Sequence, residues 1–351
     1  MSTGKTVTVT AMAAMKAKGP CEKWSYTTEL KDDDVFVEID CCGVCMSDIH
    51  SKDEAWGPTK FPFVGGHEVI GKVAAVGNKV THVKVGERVG VGPLAGSCGT
   101  CEHCQRHYDQ LCEKRVFTYN AVDAHGRPTY GGYATGIVCQ ERFAIPIPAS
   151  LDSEHAAPLL CAGVTVFAPL DRYTKAEGSG KKVAVIAIGG LGHLAIMFAA
   201  KMGHSVTAVS RGTDKKELCF KLGATGYVNS SDKAEAGAAI GKFDFVLDTS
   251  AFDGEITQRI LLTKPTGTLC MVGVPDVPFT FNGFALIAFE RKIVGSIVGS
   301  PKNTADMLDF VVKHNVQTMV SEVAPMTDVN RVHADVLAGK PRFRVTLKND
   351  L

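Results

Sequence analysis

The sequence predicts an α/β fold in which a mostly β domain of antiparallel strands accompanies a doubly wound parallel sheet of six strands. Over roughly the first 150 residues, short Val/Ile/Thr-rich runs alternate with Gly and Pro, which is typical of antiparallel strands. From about residue 181, β-branched runs are separated by helix-length intervals, and this alternation predicts parallel strands. The six strands are predicted at 183–187, 205–210, 226–229, 243–248, 268–273 and 293–298. After about residue 300 short elements return, ending in the strand-like Phe343–Leu347.

Size and charge favour two domains and a small-molecule ligand. A chain of 351 residues is long enough for two domains, each with a substantial core. Its 38 Lys and Arg residues nearly balance 37 Asp and Glu residues, for a net charge of +1. This balance does not favour nucleic acid or an anionic membrane surface as a partner.

Two features bear on the compartment. The N-terminal residues lack the basic segment, apolar core and cleavage signal of a secretory peptide, so we expect a cytoplasmic protein whose 12 cysteines are thiols or metal ligands without disulfides. The apolar stretch Val183–Ala200 has the length of a membrane span. Its glycines, however, divide it into a β-branched run and a helix-favouring run, which predicts a strand, a turn and a helix.

The segment Gly65–Glu68, together with Cys45 and Cys161, predicts a catalytic metal site. Two thiolates and the imidazole of His67 are ligands that hold zinc while leaving a fourth position open for substrate. Taken singly, each of these residues is more often a packing residue than a ligand.

The polar neighbours of these residues strengthen the metal hypothesis. Glu68 stands at the start of a buried strand, where a carboxylate requires something cationic nearby. Cys45 is followed by Ser47, Asp48 and His50 within an otherwise apolar turn. We therefore interpret the cluster as a site and not as part of the core.

A second metal site is predicted by four cysteines with short spacings. Cys98, Cys101, Cys104 and Cys112 are separated by two, two and seven residues. Four thiolates on one loop can complete a tetrahedral shell with no vacancy, which indicates a structural zinc ion. An iron–sulfur cluster is the alternative, but nothing else in the sequence indicates electron transfer.

A glycine turn predicts a dinucleotide site. Gly189, Gly190, Leu191 and Gly192 follow a predicted strand and open a predicted helix, where backbone N–H groups can bind a pyrophosphate. Ala187 occupies the place of the first glycine of the G-x-G-x-x-G pattern. A tight turn without a ligand is the alternative.

The end of the second strand of this sheet favours NADPH over NADH. A site specific for NAD usually has Asp or Glu there, to accept hydrogen bonds from the ribose hydroxyl. Here Ser210 is followed by Arg211 and Lys215, which would attract a 2′-phosphate, whereas Asp214 lies beyond the strand end. The alternative is a solvated basic start to a surface helix.

Taken together, these motifs resemble the zinc-dependent medium-chain alcohol dehydrogenases. Cys42–His50, Gly65–Glu68, the four-cysteine loop, Leu160–Thr165 and the glycine turn occur in the order found in that family, over nearly the whole chain. The similarity is greatest to the cinnamyl alcohol dehydrogenase-like branch, on account of Ser210, Lys215, Lys216 and Gly295–Ser300. The resemblance implies a GroES-like catalytic domain at 1–162 and 298–351, and a Rossmann NADP-binding domain at 163–297.

The resemblance also implies roles in metal binding. Cys45, His67 and Cys161 would bind the catalytic zinc, with Glu68 as an adjacent or transient ligand. Asp48 would orient a ligand, a role that carboxylates commonly have beside a metal-bound imidazole. With the four-cysteine site, the expected content is two zinc ions per chain.

Proton transfer and cofactor binding are implied in the same way. Ser47 and His50 would carry a proton between the site and solvent. Met46 departs from the His or other polar residue of many relatives. The residues expected to line the cofactor site are Thr165, Gly189, Gly190, Leu191, Gly192, Ser210, Arg211, Lys215, Thr249, Gly273, Ser296 and Val298.

The implied activity is the NADP(H)-dependent interconversion of primary alcohols and aldehydes, aromatic or medium-chain aliphatic, mainly as an aldehyde reductase. Trp56, Phe117 and Phe284 are candidates for an apolar substrate pocket and equally for the core. The alternatives are a polyol or secondary-alcohol dehydrogenase, a zinc-free quinone reductase, and a non-catalytic NADPH-binding zinc protein. The complete metal-ligand set counts against the zinc-free option. The resemblance further implies a homo-oligomer, either a dimer or a tetramer.

Overall fold

The computed structural model describes residues 5–175, 178–251, 254–275 and 277–351. The chain divides into two compact units. The first unit comprises Met1–Cys161 and Gly299–Leu351, and the second comprises Ala162–Val298.

The first unit is built around a seven-stranded sheet in the order β18-β19-β3-β4-β5-β9, with β8 also paired to β3. Its pairs are antiparallel except for β18 and β19, which run parallel. Valines and isoleucines of β3 and β4 are buried in its core. The strands of this unit are β1 Thr6–Ala14, β2 Cys21–Glu29, β3 Asp34–Gly43, β4 Val69–Val76, β5 Arg88–Val91, β6 Leu94–Gly96, β7 Val116–Phe117, β8 Gly136–Gln140, β9 Ile145–Pro146, β18 Val320–Pro325 and β19 Arg344–Lys348.

Short helices connect these strands. The first, α1, begins directly after Cys45, where the Asp48 carboxylate accepts a hydrogen bond from the Cys45 backbone N–H and so caps the helix. This places a cysteine, a serine, an aspartate and a histidine on one turn beside the sheet. The helices of the unit are α1 Met46–Lys52, α2 Glu102–Gln105, α3 Ser153–Ala156, α10 Pro301–His314 and α11 Val329–Leu337.

The second unit contains the predicted parallel sheet of six strands, in the order β12-β11-β10-β13-β15-β17. Strand order reverses between β10 and β13, which is the point where doubly wound sheets bind ligands. A separate two-stranded parallel pair, β14 and β16, accompanies it. The strands are β10 Lys182–Ile186, β11 Ser205–Ser210, β12 Gly226–Asn229, β13 Phe243–Asp248, β14 Gly254–Glu255, β15 Thr263–Met271, β16 Phe279–Thr280 and β17 Lys292–Gly295.

Three of the six strands have bounds that differ from the prediction: β10 lies one residue earlier at both ends, and the largest differences are in β15 and β17. The fifth strand of the large sheet begins at Thr263 and not at 268, because the turn-like sequence after Thr263 continues the strand through a register shift against β13. The sixth strand ends at Gly295, three residues earlier than predicted. All of these differences lie at strand ends, and the parallel order is unaffected.

Helices alternate with these strands as the sequence predicts. The apolar stretch at 183–200 separates into β10 and α5, and the glycine turn joins them. Within the described ranges, no helix has both the length and the apolar character that crossing a membrane requires. The helices of the second unit are α4 Ala162–Thr174, α5 Gly192–Lys201, α6 Lys216–Lys221, α7 Lys233–Ala238, α8 Thr257–Leu261 and α9 Phe284–Ile287.

Candidate active site and metal centres

The backbone around Gly66 brings His67 to the end of β3. Gly66 has a φ of +93°, and a Cβ at this position would lie 2.8 Å from the Cys42 sulfur, so both conformation and space require glycine. The Gly43 N–H donates to the Glu68 carbonyl at 2.9 Å, which ties this segment to the strand that precedes Cys45.

The structure brings the four predicted ligands of the first metal site together. One ligand atom from each of Cys45, His67, Glu68 and Cys161 lies within 4.8 Å of the others, and all four residues are buried. His67 Nε2 lies 3.0 Å from the Cys161 sulfur. Cys45 and Cys161 directly precede helices α1 and α4, and His67 and Glu68 lie in the loop before β4, so only the fold unites the four residues.

The electrostatics of the two thiols suit a cation. A hydrogen bond from Cys161 lowers the pKa of Cys45 well below its ordinary value, against burial and with help from His67. The same hydrogen bond, together with burial, raises the pKa of Cys161 well above its ordinary value. The lowered pKa favours the thiolate form of Cys45. A divalent cation would favour the thiolate form of both cysteines. The donor set therefore fits zinc.

Asp48 fixes the orientation of His67. Its Oδ1 lies 2.9 Å from His67 Nδ1 and accepts from the Gly66 N–H at 3.0 Å. Burial alone would lower the pKa of His67, but the Asp48 carboxylate raises it well above its ordinary value. With the Nδ1 proton held by Asp48, Nε2 faces the two sulfurs, as metal-ligating imidazoles usually do.

Glu68 and Arg344 form a buried ion pair. Glu68 Oε1 accepts from the guanidinium of Arg344, on β19, while Oε2 has no hydrogen-bond partner among the described residues. Burial raises the pKa of Glu68 to about 7 although Arg344 opposes the shift. Arg344 is the cation that the position of Glu68 required, and the sequence analysis did not identify it.

Aromatic and hydroxyl side chains surround this cluster. Ser47 Oγ lies 3.4 Å from the Cys45 sulfur, and the His50 ring stacks on the half-exposed Trp56 with centroids 4.8 Å apart. The Tyr119 ring meets the His67 ring edge-on at 5.4 Å. Tyr119, like Arg344, carries no local motif and was missed from the sequence.

The structure also brings Cys98, Cys101, Cys104 and Cys112 together, with one ligand atom from each within 4.8 Å of the others. The sulfur–sulfur distances are 3.5 Å for the pairs 98–112 and 101–104, and 3.9 Å for the pair 98–104. Four sulfurs at about 2.3 Å from one zinc ion stand roughly 3.8 Å apart in a tetrahedron. The loop is therefore already near the geometry of a closed zinc shell.

In the second unit, the predicted cofactor residues outside α4 follow the carboxyl ends of parallel strands. The glycine turn follows β10, Ser210 ends β11, Thr249 follows β13, Gly273 follows β15, and Ser296 and Val298 follow β17. This is the edge of a doubly wound sheet at which ligands bind. Thr165 is buried within α4.

The glycines of the turn differ in the space that surrounds them. A Cβ at Gly192 would lie 2.1 Å from the Ala187 carbonyl oxygen, so the chain itself excludes a side chain there. A Cβ at Gly189 would meet nothing within 4 Å among the described residues. The open space at Gly189 is a cradle that a ligand can enter, which fits a pyrophosphate.

Other predicted cofactor residues have structural partners as well. Thr249 Oγ1 lies 2.7 Å from the Ala187 carbonyl oxygen, and a Cβ at Gly273 would lie 1.8 Å from the Ser250 carbonyl oxygen. Lys215 Nζ donates to the Ile188 carbonyl at 2.7 Å, which places a positive charge beside the glycine turn. Arg211 is exposed at the end of β11.

Comparisons with known proteins place these motifs in one family. Residues 31–149 match the model of the alcohol dehydrogenase GroES-like domain, and residues 190–313 match that of the zinc-binding dehydrogenases. The chain is 44% identical to the probable formaldehyde dehydrogenase AdhA of Bacillus subtilis, over 91% of this chain and 90% of that one. It is 40% identical to NADP-dependent alcohol dehydrogenase C 1 of Mycolicibacterium smegmatis, over 97% of each. A cinnamyl alcohol dehydrogenase structure from Sorghum bicolor superposes with a TM-score of 0.92 at 36% identity, covering 97% of this chain and 98% of that one.

Proposed function

This chain belongs to the zinc-binding alcohol dehydrogenase family, and on that premise we propose that it reduces aldehydes to primary alcohols with NADPH as hydride donor. The convergence of Cys45, His67, Glu68 and Cys161 in one buried cluster is the observation that carries the proposal. Two thiolates and one imidazole form a zinc site with a vacant position for substrate.

The proposed site divides the work among this chain's own residues. Cys45, His67 and Cys161 would hold the zinc, and a zinc ion held there would polarise a carbonyl oxygen as a Lewis acid. Asp48 keeps the Nδ1 proton of His67, which leaves Nε2 as the ligand atom. One carboxylate oxygen of Glu68 has no hydrogen-bond partner among the described residues, and an oxygen of Glu68 lies within the cluster, which suits an adjacent or transient ligand.

We assign proton transfer to Ser47 and His50. Both are on α1, at positions three residues apart that share a helix face, and Ser47 lies next to the Cys45 sulfur. A hydroxyl donates and accepts at once, and an imidazole can pass a proton from one nitrogen to the other. The pair would deliver a proton to the alkoxide oxygen of the product, which carries the charge after hydride transfer.

The cofactor would be NADPH. The positive charges of Arg211 and Lys215 stand after β11, where a dehydrogenase specific for NAD has an acidic residue. The relative from Mycolicibacterium smegmatis is named as NADP-dependent, which supports the same choice. Ser210 would contribute a hydroxyl hydrogen bond to the 2′-phosphate.

The substrate would be an aromatic or medium-chain aliphatic aldehyde. Of the three pocket candidates, Trp56 stacks on His50, a residue of the proposed proton relay, which supports an apolar wall beside that relay. Phe284 is 70% exposed in the second unit, so it is not a core residue. The proposed location is the cytoplasm, because a reducing compartment keeps cysteines available as thiols and as thiolate ligands.

The chain would assemble as a homo-oligomer. Strand β17 is the edge of the six-stranded sheet, and the apolar Ile287 and Ile297 near it in sequence are 76% and 45% exposed. An unpaired edge with exposed apolar side chains favours pairing with a second copy. Light scattering on a sizing column should give the mass of a dimer or tetramer, and a monomer at micromolar concentration would refute this part.

One experiment tests the proposed function as a whole. Purified protein is assayed for zinc content and for reduction of a panel of aldehydes, with NADPH and NADH compared. We expect two zinc ions per chain and much higher kcat/KM with NADPH for primary aldehydes. Preferential oxidation of polyols or secondary alcohols would favour the other dehydrogenase classes. Cofactor binding without turnover of any carbonyl compound would indicate a non-catalytic protein.

A further inference from the structure

Two glycine-containing segments lie against each other behind His67. The Gly131 N–H donates to the Val64 carbonyl at 2.9 Å, the Gly132 N–H to Gly66 at 2.7 Å and the Tyr133 N–H to Gly65 at 3.0 Å. A Cβ at Gly131 would lie 2.2 Å from the Gly65 carbonyl oxygen, so this approach requires the absence of a side chain. The backbone of Tyr133 is therefore fixed against the segment that carries the metal ligand.

The Tyr133 ring fills the space that the glycines leave open. A Cβ at Gly65 would lie 3.0 Å from the ring, and one at Gly66 would lie 2.8 Å from it. Tyr133 is fully buried, and its backbone carbonyl accepts from the Met12 N–H at 2.8 Å. The ring packs closely against the backbone of Gly65 and Gly66 and has no exposed surface, which restricts the direction of its hydroxyl.

That hydroxyl donates to Asp48 Oδ2 at 2.7 Å. The Cys45 N–H donates to the same oxygen at 3.0 Å, while Oδ1 serves the Gly66 N–H and His67 Nδ1. Both oxygens of the fully buried carboxylate thus have two partners each. Three of these four donors are held by backbone or by a locked ring, so they fix the plane in which Asp48 meets His67.

We propose that Tyr133 is a positioning residue for the catalytic zinc, acting through Asp48 on the ring of His67. The inference deepens the proposed function, because it rests on zinc being bound by Cys45, His67 and Cys161. Without the Tyr133 hydroxyl, Asp48 Oδ2 keeps one partner and the carboxylate can rotate about its χ2 bond. Rotation would weaken the alignment of His67 Nε2 with the metal, since such partners set both ring orientation and affinity.

The test compares Tyr133→Phe with Tyr130→Phe, which removes a hydroxyl three residues earlier in the same unit. Zinc retention at the catalytic site is measured by competition with a chelator, and the visible spectrum is recorded after Co²⁺ replaces that zinc. We expect Tyr133→Phe to weaken catalytic zinc affinity about tenfold and to shift the Co²⁺ bands, with Tyr130→Phe like wild type. The four-cysteine zinc should be retained in both variants.

The outcomes separate this inference from the proposed function. If wild type binds zinc at Cys45, His67 and Cys161 but Tyr133→Phe matches it in affinity and Co²⁺ spectrum, the positioning role is refuted alone. A lower thermal midpoint with unchanged metal properties would refute it as well, because that is the signature of packing. If wild type binds no metal at these residues, the inference and the proposed function both fail.

A second measurement uses the wild-type chain, so it does not depend on whether a variant folds. The Cζ resonance of Tyr133, labelled with ¹³C at that position alone, is compared in the zinc-loaded chain and after the catalytic zinc is removed. A hydroxyl coupled to the metal through Asp48 should change its chemical shift. An unchanged resonance would overturn the proposal.

Discussion

The buried ion pair of Arg344 and Glu68 shows that the position of one charged residue can predict the presence of an oppositely charged one. A buried carboxylate without a cation is costly, so the place of Glu68 in the sequence already indicated a positive partner. That partner lies 276 positions further along the chain, and both side chains are almost completely inaccessible to solvent. No local pattern identifies an arginine at such a separation, which is why the sequence predicted the charge but not the residue.

We predict that Arg344→Met destabilises the chain by about 3–5 kcal/mol, because it breaks a buried ion pair and leaves the Glu68 carboxyl either charged without a partner or forced to take up a proton. Adding Glu68→Gln should restore much of the loss, since both charges are then absent. Arg331→Met is the matched control: Arg331 is 46% exposed and pairs with Glu322 on the surface, so its loss should cost less than about 1 kcal/mol. The free energy of unfolding in urea is measured for the two single variants at Arg344 and Arg331 and for the double variant. Equal losses for Arg344→Met and Arg331→Met would contradict the account.

His333 should make the stability of the folded chain depend on pH, and the direction of this dependence can be worked out. Burial lowers its pKa to about 4, against the attraction of Asp48, and neither ring nitrogen has a hydrogen-bond partner among the described residues. The unfolded chain, with an ordinary pKa near 6.5, therefore binds the proton more tightly than the folded chain does. Stability contributed by the neutral ring is complete above about pH 6.5 and is lost as the pH falls toward 4.

His333→Leu should remove this dependence. Unfolding free energies of wild type and variant, measured between pH 4 and pH 7.5, should diverge below pH 6.5 in favour of the variant, by up to about 3 kcal/mol near pH 4. Taking the difference between the two proteins cancels the titration of the shared cysteines and carboxylates. Parallel curves over the whole range would show that His333 is not held neutral.

For the proton relay we predict that His50→Gln slows aldehyde reduction about tenfold without loss of zinc, because the step from Ser47 to solvent loses its carrier. Added imidazole should restore part of the rate. His82→Gln, at an exposed histidine of the same unit, serves as the control and should behave like wild type. An unchanged rate and pH profile in His50→Gln would remove His50 from the mechanism.

At the level of elements, the chain's periodicity predicted the six parallel strands well and their ends less well. Alternation of β-branched runs with helix-length intervals is a property of whole segments, so it survives local irregularity. The start of β15 is such an irregularity: Lys264, Pro265 and Gly267 have the composition of a turn, yet they belong to the strand and lie where its register against β13 shifts. Whether such a sequence ends the strand in a turn or continues it as an irregular stretch depends on the neighbouring strand.

The glycine turn also shows that local sequence does not by itself determine local conformation. Ala187 departs from the G-x-G-x-x-G pattern, and its φ of +66° lies in the left-handed region that glycine adopts most easily. The Ala187 N–H donates to the Val209 carbonyl at 3.0 Å and its carbonyl accepts from Thr249 at 2.7 Å. These hydrogen bonds hold a conformation that the residue type disfavours, so the turn keeps its form although its first glycine is absent.

The segment after β11 should decide the choice of cofactor. We predict that Arg211→Ala lowers kcat/KM for NADPH by about 10- to 100-fold and leaves that for NADH nearly unchanged, because a charge-assisted contact to the 2′-phosphate is lost. Lys233→Ala, at an exposed lysine at the start of α7, provides a matched loss of charge. An equal decrease with both cofactors would show that Arg211 supports the fold or the pyrophosphate and not the 2′-phosphate.

At the scale of the whole molecule, the chain builds two compact units, and the residues proposed to bind metal and those predicted to bind the cofactor are divided between them. All proposed ligands of both metal sites belong to the first unit, and the predicted cofactor residues belong to the second. The sequence predicted the four-cysteine loop from spacing alone, because its ligands are close together in the chain. Cys161 and His67 are 94 residues apart and are brought together only by the fold. No spacing indicated this pair, which was predicted from the donor types and from the family resemblance.

The most direct test of the account is the zinc content of two single variants. Cys161→Ser should retain one zinc ion per chain, bound by the four-cysteine loop, and should lose carbonyl reduction. Cys104→Ser should instead release the other ion, at a cost in thermal stability, while the first site can still be loaded with zinc. A Cys161→Ser protein that keeps two zinc ions and wild-type reduction would contradict the central claim that Cys45, His67 and Cys161 together hold the catalytic metal.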